Sequence, residues 1–162
     1  MRVRKMTEKD FNSIIRIGKR LRITDDGKKG WFTEDAVERH IPFDIQLQRG
    51  YISEENGRVI GFITYTSYGY FPAIGWIAVD PGFHRRGAGA SLVKKVEAEI
   101  HKMGGKELFV ETPTKEEGMG TEYEKTYKFY EGTGFTVDRI KKRGDPDNNC
   151  GCDMAILKKV IR

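Results

Sequence analysis

The apolar residues of this chain change period several times along its length, and the changes divide it into elements. Residues 2–6 (RVRKM) read as a short strand. Thr7 offers a helix N-cap with Asp10 in the first turn. Phe11, Ile14, Ile15 and Leu21 then recur at helical spacing, predicting a helix over roughly 8–20. A polar, glycine-bearing loop, TDDGKKG (24–30), leads to a second helix capped by Thr33 and carrying Ala36, Val37, His40 and Ile41. Pro42 is expected to limit that helix, because it has no N–H to donate.

From residue 50 the period shortens. YISEENGRVIGFITYT places Glu55-Asn56-Gly57 between two β-rich runs, a hairpin signal. Residues 59–79 carry no charge, but three glycines, Pro72 and a turn-like YGYFPA fit two strands better than a membrane span. AIGWIAVD (73–80) is the second of them. A helix over about 88–103 follows, with Leu92, Val93, Val96, Ile100 and Met103 along one face and Gly104-Gly105 at its end. KELFVET (106–112) is a strand, residues near 122–131 a helix, and 134–142 and 152–160 two closing strands. With no repeat and no internal linker, residues 1–162 read as one α/β or α+β domain.

Composition changes this picture little. A chain of 162 residues can bury a core without disulfides or metals. Its net charge of +5 favours an anionic ligand, but the charge is spread rather than gathered into a basic arm, so nucleic acid is not the expected partner. Cys150 and Cys152 are too few for a disulfide framework. The charged N-terminus lacks the apolar core of a signal peptide, and the expected compartment is the cytoplasm. No metal is expected: DPDNNCGCD (145–153) has Cys150 and Ile156 where a calcium loop needs Gly and Glu, and the cysteines lack a second pair for zinc.

Chemistry concentrates in VDPGFHRRGAGASLV (79–93). A glycine loop between a strand and a helix aims free backbone N–H groups, and the positive helix end, at an anion. Arg85 and Arg86 add charge there. Three familiar motifs come close. The mononucleotide P-loop fails because Ala88 and Gly89 replace its Lys and Ser/Thr. The dinucleotide fingerprint fails because Leu92 stands at its third glycine and six residues intervene after Asp80. A nucleophile elbow around Ser91 lacks its last glycine.

What remains resembles the GNAT superfamily of N-acetyltransferases. Their signature is a strand ending near V-D-P, then [QR]-x-x-G-x-[GA] opening a long helix. Val79-Asp80-Pro81 and His84-Arg85-Arg86-Gly87-Ala88-Gly89 are similar to it, with His84 in place of Gln or Arg. TYKFYEGTGF (126–135) resembles the second signature, a helix ending F-Y-E-x-x-G-F, with Tyr123 where an Asn is frequent. RVRKMTEKDF and EENGRVIGF resemble the N-terminal region, so the likeness covers nearly the whole chain.

The resemblance implies a mixed, mostly antiparallel sheet of six to seven strands with helices on both faces. It also implies transfer of an acetyl group from acetyl-CoA to a primary amine in a ternary complex. Backbone amides from Arg85 to Ala90 would hold the pyrophosphate, with His84, Arg85, Arg86, Gly87, Ala88, Gly89 and Ala90 as binding residues. The pantetheine arm would pair with Ile77, Ala78 and Val79, where the strand splays from 106–112, and the Val79 amide would polarise the thioester carbonyl. Tyr130 occupies the general-acid position, although Tyr123, Tyr127 and Tyr130 share a helical face and could be core aromatics. Glu111 is the nearest carboxylate for a general base; an outward, solvated carboxylate is the competing reading.

The acceptor pocket is expected from residues 24–33 and 143–151, where Asp25, Asp26, Asp145 and Asp147 could attract a cationic amine or serve turn chemistry. The acceptor could be a small amine, an amino acid, or a protein lysine or N-terminus. A homodimer is compatible with the family. The alternatives are a noncatalytic acyl-CoA sensor, favoured by a buried Tyr130, and a dinucleotide-binding domain, favoured by a tight turn after Asp80. A nucleic-acid binder would need the arginines on one open basic face.

Overall fold

A computed structural model describes residues 1–22, 32–67, 71–117 and 121–162, and the side chains of 121–123 lie outside the description. Seven strands form one sheet: β1 (Arg2–Lys5), β2 (Arg49–Glu55), β3 (Arg58–Thr66), β4 (Ala73–Val79), β5 (Glu107–Pro113), β6 (Thr136–Lys141) and β7 (Met154–Val160). Their order is β1-β2-β3-β4-β5-β7-β6, and every neighbouring pair is antiparallel except β4 and β5. The dinucleotide alternative therefore fails on architecture, because that fold needs a mostly parallel sheet.

The α-helices are α1 (Phe11–Arg20), α2 (Ile41–Leu47), α3 (Ala88–Lys102) and α4 (Thr121–Gly132). They cover both faces of the sheet. Ile14 and Ile17 of α1 and Ile41 and Ile45 of α2 bury against Ile52, Phe62 and Ala78. On the other face Leu92, Val93, Val96 and Ile100 of α3 and Tyr127 and Tyr130 of α4 pack on Ile63, Ile74, Leu108 and Leu157. With helices on both faces, a central strand such as β3 is buried along nearly its whole length and reads as a near-continuous hydrophobic run.

Most of the expected elements are present, with informative differences. The Asn56-Gly57 hairpin turn has φ of 50° and 76°, the left-handed pair that matches strand twist. Pro42 does not end the second helix. It sits in the first turn of α2, and the five residues before that helix, Ala36–His40, form a π turn in which Ile41 N–H reaches back to Ala36 O. The widened turn makes room for the proline, whose missing N–H would otherwise break a regular helix. Met103 lies past the end of α3 and is 49% exposed rather than packed on its apolar face.

Candidate active site

The sheet is open along part of its centre. β4 and β5 pair only at Ala73–Phe109 and Ile74–Val110. Immediately beyond, the β3–β4 ladder shifts register between Ile63 and Tyr65, so three steps on β4 oppose two on β3. Such a bulge bends its strand. Trp76 N–H bonds the Thr64 hydroxyl at 2.9 Å, and Gly75 leaves room for the Gln48 side-chain oxygen that presses on it. The rest of β4 thus presents one unpaired edge. Asp80 N–H donates to Ile60 O at 2.8 Å, so by antiparallel alternation Ala78 also faces β3, while Ile77 and Val79 turn their amides toward the opening.

His84 reaches that same edge. Its Nε2 lies 2.7 Å from Val79 O, and because a carbonyl only accepts, this nitrogen carries the proton. The outermost carbonyl of β4 is therefore capped by a side chain, while the Val79 amide is left to other partners.

The glycine loop is built on Asp80. Its carboxylate is fully buried, accepts from Gly82 N–H at 3.0 Å and from Arg20 Nη1 at 2.6 and 2.7 Å, and meets Arg58 Nη2 at 3.1 Å. Burial alone would push this carboxyl up. The Gly82 amide and the two guanidiniums outweigh it and hold the group below its ordinary value. A short 3-10 turn, Pro81–Phe83, follows, and then two left-handed residues, Arg85 (φ 60°) and Gly87 (φ 80°). Such alternation turns successive amides into one concavity. The first backbone bond at the start of α3 runs from Ser91 N–H to Gly87 O, which leaves Ala88, Gly89 and Ala90 amides without an intrahelical acceptor. Gly89 is required by packing: a Cβ there would meet the Phe129 ring at 2.9 Å.

The two arginines of the loop differ. Arg86 Nη2 bonds both Glu55 oxygens at 2.8 and 3.0 Å and its guanidinium sits 5.1 Å from the Phe83 ring. Arg85 is exposed and makes no ion pair among the described residues. With Arg20, Arg58 and Arg86 all paired to carboxylates, no open basic face is formed by them.

Tyr130 is 5% exposed, its ring packed on Phe129 and Phe135. Burial raises its phenol well above the ordinary value. Its hydroxyl bonds no described residue, yet it is not a sealed orphan; among the described residues those are Gln48 Oε1 and Ser53 Oγ. Tyr127 is structural, donating to Pro113 O at 2.9 Å. Glu111 lies on the other sheet face from Tyr130, opposite Ile156, half-exposed and 2.7 Å from Lys141 Nζ. The structure does not bring these two together on one face.

The loop between β6 and β7 is tied by its own groups. Asp145 accepts from Lys142 N–H at 2.6 Å, and Asp147 pairs with Arg139 at 2.9 Å and approaches Lys141. Asn148 donates to the carbonyls of Lys141, Lys142 and Cys152. Both aspartates therefore serve loop construction. Asp25 and Asp26 lie outside the described residues. Sequence reasoning missed Asp44, which accepts from Trp76 Nε1 at 2.7 Å beside the bulge, because no local pattern links α2 to β4. Among the described residues no group of three His, Cys, Asp or Glu could hold a metal, and no helix is long and apolar enough to cross a membrane.

Comparison with known proteins bears on this geometry. Over 99% of both chains the fold superposes, with a TM-score of 0.74 and 20% identity, on a GNAT-family acetyltransferase from Desulfovibrio desulfuricans. It also superposes on the ribosomal-protein-S18-alanine N-acetyltransferase of Escherichia coli (TM-score 0.72, 18% identity, 99% of this chain and 93% of that one). An aminoglycoside 6'-N-acetyltransferase complexed with coenzyme A matches at TM-score 0.69 and 16% identity, over 100% of this chain and 98% of that one. No curated protein sequence matches. The family model described as Acetyltransferase (GNAT) family matches residues 20–135, from the arginine that binds Asp80 to the phenylalanine that packs on Tyr130. The chain belongs to the GNAT acetyltransferase family and is an acyltransferase.

Proposed function

We propose that this chain transfers the acetyl group of acetyl-CoA to a primary amine by direct attack in a ternary complex, within one domain spanning residues 1–162. The observation that carries the reading is the unpaired β4 edge running into a cluster of unbonded amides at the start of α3. An extended pantetheine needs a strand edge, and a pyrophosphate needs converging N–H donors, so the donor set fits the group. When bound, acetyl-CoA supplies the activated thioester.

The residues of the chain then have separable tasks. Amides from Arg85 to Ala90 bind the diphosphate, with Arg85 adding charge. Ile77 and Val79 align the extended arm, and Val79 N–H donates to the carbonyl oxygen as negative charge gathers on it. His84 occupies Val79 O, which leaves Ile77 to offer the β4 carbonyl for that arm. Tyr130, protonated at neutral pH as any phenol is and held so by burial, is the donor assigned to the departing thiolate. Glu111, across the sheet from Tyr130, is the carboxylate through which the amine would lose its proton. The acceptor neighbours' substrates, a ribosomal protein alanine and an aminoglycoside, are both amines, which supports that substrate class.

Thermal unfolding with acetyl-CoA, CoA, NAD and ATP added separately tests the reading. A ligand at a hundred times its Kd adds about 2.7 kcal/mol, a visible shift in Tm. Stabilisation by the two coenzyme A species alone supports the proposal; stabilisation by NAD alone ends it. The buried Tyr130 ring favours one second reading, a sensor that binds acyl-CoA without turnover. Stabilisation by acetyl-CoA with no thiol released across an amine panel would select it.

A further inference from the structure

The glycine loop is bonded at both ends to one distant element, the hairpin between β2 and β3. Glu55 closes β2 and Arg58 opens β3, either side of the Asn56-Gly57 turn. Arg58 reaches the buried Asp80 carboxylate at 3.1 Å, before the loop, and Glu55 takes Arg86 at 2.8 and 3.0 Å, within it. The two guanidiniums also sit 5.4 and 5.1 Å from the Phe83 ring, so the loop aromatic is held by one arginine of the hairpin and one of its own. We propose that this hairpin is the positioning element of the glycine loop, and that Glu55 is the residue fixing the aim of the amides from Arg85 to Ala90. The inference rests on the coenzyme A reading above.

The sign of one effect separates positioning from mere proximity. A carboxylate near an anion site repels the anion, so on charge alone removing Glu55 strengthens phosphate binding. If Glu55 holds the loop, removing it loosens the amides and weakens binding. The geometry also says how Arg86 works. Its guanidinium is matched to Glu55 in a charge-assisted pair and stacked on Phe83, so its side chain acts on the loop, and the anion is left to the amides and Arg85.

The test is calorimetric titration of CoA into the wild type, Glu55→Gln, Arg86→Gln and the charge swap Glu55→Arg/Arg86→Glu. Amide hydrogen exchange of residues 83–90 in the unliganded proteins accompanies it. Glu55→Gln is expected to raise the CoA Kd by about three- to tenfold and to speed exchange at 83–90 while the sheet keeps its protection. The swap is expected to recover most of the affinity lost in Arg86→Gln, since it rebuilds the pair with the charges exchanged. An unchanged or lower Kd in Glu55→Gln overturns the proposal, as does a swap that binds no better than Arg86→Gln, which would put Arg86 directly on the phosphate. A wild type that takes up no CoA would instead sink the coenzyme reading, and the exchange data would then decide alone whether Glu55 orders the loop.

Discussion

The two sides of the sheet opening are built by different means. On the side proposed for the coenzyme, the features are made by backbone: an unpaired strand edge, two left-handed residues and the first amides of α3. One buried carboxylate, Asp80, anchors it through three donors. On the other side, side chains dominate, and three described acidic ones are already matched: Asp44 to Trp76, Glu111 to Lys141, Asp147 to Arg139. A ligand common to a family can be held by groups every sequence possesses. An acceptor that differs between members has to be recognised by groups that vary.

The sharpest way to break this contrast is Asp80→Ala. It removes a buried acceptor from two half-exposed guanidiniums and the Gly82 amide, and a loss of about 1.5–3 kcal/mol is expected from denaturant unfolding, together with loss of the CoA-induced Tm shift. The same carboxylate sets an acid limit. Its folded pKa lies below the unfolded value near 3.8, so its contribution is fully present above that value and is lost as pH falls through the folded one. Asp80→Asn should flatten this acid limb of a stability–pH curve.

Tyr130→Phe comes next. A general acid contributes roughly a hundredfold or more, so kcat should drop by about that factor while the CoA Kd holds. Stability should hardly change, because the hydroxyl bonds no described residue. An unaltered kcat would remove Tyr130 from the chemistry. Gly89→Ala tests the packing of α4 on the loop: the new methyl meets the Phe129 ring, and overpacking costs about 1–3 kcal/mol, partly offset by better helix propensity. The smallest effect belongs to the other side. Asp147→Asn removes an exposed, solvent-screened ion pair, so stability should barely move, and CoA binding should not respond; a large loss of affinity there would mean the two sides are not independent.

Much of the coenzyme side could be read in the sequence because its cause is local. The V-D-P strand end, the glycines at 87 and 89 and the helix from Ala88 lie within a dozen residues, and glycine conformation and helix-end amides follow from local rules. Asp80 lies within the V-D-P motif, but its role was not legible there, since its two arginine partners are 60 and 22 residues away. The acceptor side offered only loop aspartates, and of the two described ones Asp145 bonds its own loop and Asp147 pairs with Arg139 of β6.

By itself, then, the order of strands and helices, the hairpin turn, and the left-handed residues and free helix-end amides of the 85–90 segment were determined by residue periodicity and backbone chemistry, which act over a few residues. Tertiary structure decided the rest. It made the bulge that frees the edge of β4, placed Tyr130 and Glu111 on opposite faces, and bonded Arg20, Arg58 and Glu55 to one loop. These depend on which distant segments the core brings together, and no window along the chain contains both halves of any such pair.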